Sequence, residues 1–296
     1  MNLEPLKSDK LPGLYRTADS ISNQSQKEYF WMALCYLTLL LVGSILAYIT
    51  AFYPESQSLA IFSALAFLCS LGMNLAIYFI RPEASWYSAR AVAESVKTRT
   101  WRWMMRADPY TDRDRIDQAR KEFISDLKAI LDQNREMANR IAGDHCADEP
   151  ITDRMEEIRR WNFNDRFEIY KIGRIDNQLE WYKKKTAWNR KRSRQWLVVS
   201  IILNFAAIML LLIKIAKPNL IMPIEIIAFL AGSALTWTQM KKFRELATSY
   251  GLTAHEISLI KGEASNVSDE QHFSEFVLNS ENAFSREHTQ WVARKE

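Results

Sequence analysis

Two long blocks without a single charged side chain constrain this 296-residue chain more than any other feature. They cover residues 32–52 and 58–80, and each approaches or exceeds the roughly 20 apolar residues with which a helix crosses a bilayer. A turn of five residues separates them, and Arg81 and Pro82 end the second block. Two spans joined by so short a turn predict an antiparallel hairpin of membrane helices.

A second, less regular hairpin is predicted further along the chain. Residues 196–213 are apolar apart from Ser200 and Asn204, and residues 221–237 return after a short turn. Glu225 lies near the start of the return segment, where a carboxylate can reach headgroups or water. Buried helices of a large soluble core could be equally apolar, but the aromatic residues at the ends of the blocks favour membrane spans. We therefore predict an all-α integral membrane protein with four transmembrane helices, arranged as two hairpins with a cytoplasmic helical bundle.

The distribution of basic residues predicts the orientation of both hairpins. The mean hydropathy of -0.23 would suit a soluble protein, because strongly charged segments offset the apolar blocks. Lysines and arginines are concentrated in the segments before and after each hairpin. The first turn has none, and the second has only Lys214 and Lys217. By the positive-inside tendency, both turns face outward. We expect a multi-pass protein of the inner, cytoplasmic membrane with both termini cytoplasmic, no signal peptide and, from three scattered cysteines, no disulfide framework.

The chain divides, on these patterns, into a mobile N-terminal tail (residues 1–15), a first two-span domain (16–110), a cytoplasmic helix with its linker (111–165) and a second two-span domain (166–296). The cytoplasmic helix carries a coiled-coil-like seam with a seven-residue repeat, formed by Ile116, Phe123, Ile130 and Met137, interleaved with Leu127, Asn134 and Ile141. Arg120 and Asn134 interrupt this seam, which is typical of helices that need a fixed pairing register. The partner could be a helix of the same chain or of another subunit.

A polar and aromatic stripe directly after the first hairpin predicts a coupling element. At helical spacing its members share one face. A similar mixture precedes the second hairpin, and a polar cluster lies near the C-terminus. The candidate coupling network comprises Trp86, Arg90, Glu94, Lys97, Trp101, Trp181, Lys185, Trp188, Glu281 and His288. Two other interpretations remain open, a solvated ion-pair face and a basic surface that binds anionic lipid.

Polar and small residues inside the spans form two further candidate sets. Polar groups in hydrocarbon are costly unless they face partners or water. The candidates for pore lining or interhelical hydrogen bonding are Ser63, Ser70, Asn74, Ser200 and Asn204. In the fourth span, Ala228, Gly232 and Thr236 recur every four residues, which suits close contact with another helix.

The sequence gives no catalytic or cofactor motif. It lacks a glycine-rich phosphate loop and a nucleophile paired with a base. His145 and Cys146 are adjacent without a spaced second pair of ligands, which does not make a zinc site, and His288 beside Glu287 has no second group to complete an acid–base site. We therefore expect no enzyme activity, no cofactor, no metal and no direct nucleic acid binding.

Three segments together resemble a known family. They are WYSARAVAESVKTRTWRWMMRADPY after the first hairpin, RIDNQLEWYKKKTAWN before the second, and ENAFSREHTQW near the end. In combination they look like the SLATT family, the SMODS- and SLOG-associating two-transmembrane effector domains, with two such domains in tandem. The family has no established catalytic residues to transfer.

The resemblance implies a membrane effector of a prokaryotic anti-phage or conflict system. Such an effector would form a homo-oligomeric pore or disrupt the inner membrane, on activation by a nucleotide second messenger or by a sensor protein encoded in an adjacent gene. The alternative is a non-conducting membrane-anchored scaffold or sensor that recruits a partner through its cytoplasmic helices.

Overall fold

The computed structural model describes residues 8–111, 116–134 and 149–293, with only the backbone for residues 286–293. Every regular element in these ranges is helical. The α-helices are α1 Gly13–Thr50, α2 Gln57–Ile80, α3 Pro82–Met104, α4 Ile116–Gln133, α5 Asp153–Arg160, α6 Phe163–Tyr170, α7 Asn177–Ala216, α8 Ile224–Lys241, α9 Phe243–Glu263 and α10 Glu270–Ala293. Short 3-10 turns cover Ser8–Lys10 and Ala264–Asn266, and a π-helical segment, Lys171–Asp176, joins α6 to α7.

The chain forms two compact units. The core unit comprises Met1–Gln26, Glu83–Lys185 and Ser249–Glu296, and the hairpin unit comprises Lys27–Pro82 and Thr186–Thr248. Each predicted membrane span lies in the hairpin unit, and the segments that the sequence places in the cytoplasm lie mainly in the core unit.

Three continuous helical stretches are long and apolar enough to cross a membrane, namely Gly13–Thr50, Gln57–Met104 and Phe163–Ala216. They contain the first three predicted spans. The fourth predicted span, residues 221–237, falls in α8, which has only 18 residues, begins after Pro223 and includes Glu225 and Lys241. These charges and the late start of the helix make α8 less apolar than the three stretches above. By itself it is therefore not apolar enough to count as a candidate membrane span.

Packing inside the hairpin unit joins α1 to α2 closely. The hydroxyl of Ser63 donates a hydrogen bond of 2.9 Å to the carbonyl of Gly43. A Cβ atom at Gly43 would lie only 3.0 Å from the ring of Phe67, so glycine permits this approach of the two helices. The outer surfaces carry large apolar side chains such as Leu68 and Phe205, each 63% exposed. A contiguous apolar surface of this kind is suited to lipid and unsuited to water.

The core unit is built around aromatic and methionine side chains at the end of α3. Trp103, Met104 and Met105 are almost completely buried, and Trp103 and Tyr110 pack on Phe123 of α4 with ring centroids 5.7 and 5.8 Å apart. The first part of the predicted seam therefore packs against helices of its own chain.

Leu127 and Ile130 of the seam also pack in the core, whereas the two polar interruptions form other contacts. Arg120 forms an ion pair with Glu156 of α5, and the amide of Asn134 donates to the carbonyl of Ile130 on its own helix at 2.8 Å. Met137 and Ile141 lie outside the described residues.

The N-terminal segment differs from the mobile tail that we predicted. Leu11 and Tyr15 are buried in the core unit, and Thr152, the cap of α5, donates a hydrogen bond of 2.7 Å to the carbonyl of Lys10. The prediction was wrong for residues 8–15, because Leu11, Leu14 and Tyr15 supply an apolar face that the charged neighbours obscured in the sequence. Residues 1–7 lie outside the described ranges.

Candidate functional site

The stripe on α3 forms the first half of a partly buried ion cluster. A guanidinium nitrogen of Arg90 lies 2.6 Å from a carboxylate oxygen of Glu94 one turn later, and another lies 3.7 Å from Asp19 of α1. Glu94 is only 8% exposed. Its neighbours on α3 include Val92, Ala93 and Val96, which are completely buried. Because the carboxylate is inside the core unit, the interpretation of this stripe as a solvated face is wrong for Glu94.

Lys97 adds a positive charge one turn further along α3. Within the part of the chain that the structure describes, its ammonium forms no hydrogen bond and no ion pair within 4.0 Å. Burial lowers the pKa of Lys97, and the nearby Arg174 and Arg90 lower it further, while Glu94 and Glu281 oppose this effect. The fold therefore disfavours the charged form of Lys97 relative to a lysine in water.

The second half of the cluster is an ion pair between the π-helical segment and α10. The Nε and Nη2 atoms of Arg174 donate to the two carboxylate oxygens of Glu281 at 2.8 and 2.7 Å. Both side chains are buried. The hydroxyl of Tyr170 donates to the same carboxylate at 3.1 Å, and the guanidinium lies 4.9 Å from the ring centroid of Phe284. A bidentate pair of this geometry is among the strongest polar contacts in proteins.

The electrostatics of this pair favour its charged form. Burial by itself lowers the pKa of Arg174, but the charge and hydrogen bonds of Glu281 outweigh that effect, so the pKa is raised. Burial and the same carboxylate raise the pKa of Tyr170, which keeps its phenol protonated. The Nη1 atom of Arg174 is buried and donates to no partner among the described residues. We use the name ion cluster for Asp19, Arg90, Glu94, Lys97, Arg174 and Glu281.

The π-helical segment brings Arg174 to its position. A Cβ atom at Gly173 would lie 3.3 Å from the indole of Trp101, so the segment approaches α3 closely at a glycine. Trp101 is itself buried and meets Tyr170 edge to face, with centroids 5.7 Å apart. The aromatic end of the predicted stripe thus packs beside the Arg174–Glu281 pair.

Two further buried arginines hold the chain that leaves α3. Arg159 donates to the carbonyl oxygens of Trp103 and Tyr110, the latter at 2.9 Å, and Arg166 donates to that of Met105 at 2.7 Å. These bonds fix the end of α3 and the chain that follows it, where fewer backbone carbonyls have helical partners. Neither residue was predicted from the sequence, because Arg159 lies on α5 and Arg166 on α6, and most of their partners are backbone carbonyls far along the chain.

The remaining members of the predicted coupling network are spread more widely. Trp86 stacks on Tyr87 at 4.6 Å, Trp181 packs on Tyr250 at 5.4 Å, and the ammonium of Lys185 lies 5.5 Å from the ring of Trp181. Trp188 belongs to the hairpin unit. The side chain of His288 lies outside the described residues, as do His145 and Cys146.

The polar residues of the spans separate into inward and outward groups. Ser63 and Ser70 are buried, and the hydroxyl of Ser70 donates to the carbonyl of Phe67 on its own helix at 2.7 Å. Ser200 is half-buried, whereas Asn204 is exposed and donates to the carbonyl of Ser200 at 2.8 Å. Asn74 is exposed, and its carboxamide has no hydrogen-bond partner in residues 8–111, 116–134 or 149–293.

The small-residue stripe of α8 lies on the exposed side of this helix in the part of the chain that the structure describes. Ala228, Gly232 and Thr236 are exposed, and a Cβ atom at Gly232 would meet no atom within 4 Å. The helix packs instead through Ala231 and Ala234. Contact of this stripe with a helix of a second chain stays a prediction.

The geometry described so far defines a helical membrane protein with a hairpin unit and a core unit that contains a partly buried ion cluster. Residues 12–167 match SMODS and SLOG-associating 2TM effector domain 3, and residues 170–291 match SMODS and SLOG-associating 2TM effector domain 1. The chain belongs to this family, SLATT, and carries two of its domains in tandem, as the three sequence segments indicated. No curated protein and no solved structure shows significant similarity to the chain.

The two family matches meet at the ion cluster. The first match contributes Arg90, Glu94 and Lys97, and the second contributes Arg174 and Glu281. The first match also includes the middle helices α4 and α5, which we had described as a separate segment. The core unit is therefore a joint structure of both domains.

Proposed function

We propose that this chain is a homo-oligomeric effector of a prokaryotic conflict system that opens a pore in, or disrupts, the inner membrane. Its family domains are two-transmembrane effector domains associated with SMODS and SLOG conflict systems. Two such domains in one chain support four spans, with α8 as the fourth. The basic flanks of the hairpins support a cytoplasmic position for both termini and for the core unit.

The observation that carries the oligomeric proposal is the position of Asn74. Its carboxamide lies on the outer surface of α2, inside an uncharged block, without a partner in the described chain. An amide that loses all hydrogen bonds on moving from water to hydrocarbon costs about 4–8 kcal/mol. A second subunit or a water-filled path would satisfy it, and the exposed Asn204 of α7 has the same requirement for its carbonyl oxygen.

Four helices from one chain are too few to enclose a wide aqueous path, so conduction requires several chains. The exposed stripe of Ala228, Gly232 and Thr236 would allow close approach of a neighbouring helix. In this proposal, Asn74 and Asn204 face a shared axis or a subunit contact, while Ser63 and Ser70 stay within the hairpin unit.

Control of the pore is assigned to the core unit. Helices α1 and α7 each run without a break from residues of the core unit into residues of the hairpin unit. A nucleotide signal or a sensor protein that binds the core unit would shift the equilibrium between two arrangements of the ion cluster. No catalytic step is required in this mechanism.

Conductance in a defined bilayer tests the proposal. Full-length protein reconstituted into planar bilayers should produce discrete current steps, and Asn74→Leu should reduce them, because leucine removes the polar group. Leu75→Ala, at the next exposed position of α2, serves as the matched control. Inserted protein that never conducts or releases dye from vesicles would refute the pore and favour the scaffold.

A further inference from the structure

A lysine at the end of α8 lies against aromatic rings. The ammonium of Lys241 is 3.1 Å from the ring centroid of Phe30 on α1 and 5.0 Å from that of Trp237 on its own helix. Phe30 and Trp237 meet edge to face at 6.0 Å, and Trp196 of α7 lies 6.4 Å from Trp237. Rings from α1 and α8 thus form an aromatic box around one cation, and Trp196 of α7 extends the aromatic cluster. Cations over aromatic faces gain most when they are removed from water.

The box supplies no negative charge. Lys241 forms no ion pair with any residue that the structure describes, including Glu245, the carboxylate nearest to it in sequence. Burial alone lowers the pKa of Lys241 to about 8. An anion at this position would offset the loss of solvation and restore the charged form.

The positive charge continues around the same end of the hairpin unit. Seven basic side chains of the hairpin unit form no ion pair in the described structure. They lie just before the predicted span in α7 and around the end of α8, namely Arg190, Lys191, Arg192, Arg194, Lys241, Lys242 and Arg244. The guanidinium of Arg192 lies 5.6 Å from the ring centroid of Trp188, and that ring packs on Phe243 at 5.7 Å. Aromatic rings with cations beside an apolar span are typical of the level of lipid headgroups.

We propose that Lys241, held by Phe30 and Trp237, binds the phosphate of an anionic phospholipid headgroup. Next to the box, Trp31 and Leu197 are largely exposed and offer an apolar surface for the acyl chains. The inference rests on the membrane placement of the hairpin unit and does not depend on whether a pore forms. A failed lipid experiment would therefore leave the conductance experiment unaffected, and the reverse also holds.

The experiment is native mass spectrometry of the full-length, delipidated protein with added phosphatidylglycerol or phosphatidylcholine. The wild type should retain more phosphatidylglycerol than phosphatidylcholine. Incubation with the lipid in 0.5 M salt, before the spectra are recorded, should reduce the phosphatidylglycerol that is retained. Lys241→Gln should bind phosphatidylglycerol about fivefold more weakly, the scale expected for one lysine at an anionic surface. Lys241→Arg should retain most of the binding.

Lys217→Gln is the matched control, because Lys217 is exposed in the turn between α7 and α8, away from the aromatic box. It should bind phosphatidylglycerol as the wild type does. Equal binding of the two lipids by the wild type, or equal losses in Lys241→Gln and Lys217→Gln, would overturn the proposal. Displacement of the lipid by millimolar inorganic phosphate would also overturn it and assign the box to a free anion.

Discussion

Replacing Glu281 with glutamine should lower the free energy of unfolding of the core unit by about 3–5 kcal/mol, the cost of removing one partner from a buried ion pair. The substitution keeps the size of the side chain. It leaves the Arg174 guanidinium fully buried with a neutral amide, in place of two charge-assisted bonds of 2.8 and 2.7 Å. The compensation that remains, from the ring of Phe284 and the nearby charge of Glu94, is weaker than a directly paired carboxylate.

The assay is urea unfolding of the full-length protein in detergent, followed by circular dichroism, with hydrogen exchange of α10 to localise the effect. Glu168→Gln is the control, because its ion pair with Lys171, at 3.0 Å, is solvent-exposed and is expected to contribute about 0–1 kcal/mol. The double variant Arg174→Met with Glu281→Leu should be less destabilised than Glu281→Gln, since it leaves no buried charge. If Glu281→Gln costs no more than Glu168→Gln, the pair does not hold the core unit together.

Two further predictions concern α3. Lys97→Met should be more stable than the wild type at pH 7. The folded-state pKa of Lys97 lies below the ordinary 10.5, so between these two values the unfolded chain binds more protons than the folded one. The wild type therefore gains stability as the pH rises through this window. The advantage of the variant should shrink towards pH 10 in unfolding curves, and a pH-independent difference would contradict this reasoning. Glu94→Ala leaves Arg90 with only Asp19 at 3.7 Å, so we expect a loss of about 1–3 kcal/mol together with altered toxicity on expression. Unchanged expression, oligomer size and toxicity would remove Glu94 from any coupling role, and Glu83→Ala at the start of α3 is the control.

The membrane helices were predictable because a bilayer requires long uncharged segments, which is a local property of the sequence. The contact between Arg90 and Glu94 was predictable for a similar reason, since residues four apart are neighbours on a helix. The weaker apolar character of α8 was visible in Glu225, but the start of its helix after Pro223 was not anticipated.

The other half of the site depends on contacts between distant parts of the chain. Arginines are rarely fully buried, so nothing local indicates that Arg159, Arg166 and Arg174 are inside. Their partners are backbone carbonyls at and beyond the end of α3 and two carboxylates more than 100 residues away, Glu270 and Glu281. The coiled-coil-like seam around Phe123 indicated a helix that packs against a partner helix. Periodicity alone does not indicate whether that partner belongs to the same chain or to another subunit.

The meeting of both family matches in one ion cluster has a consequence for the history of the protein. Two domains that each fold alone can be gained, lost or exchanged separately. Here, separation between residues 167 and 170 would leave Glu94 and Lys97 on one piece and Arg174 and Glu281 on the other. We therefore expect the two domains to be inherited together, because a substitution in one domain alters the ion cluster that it shares with the other.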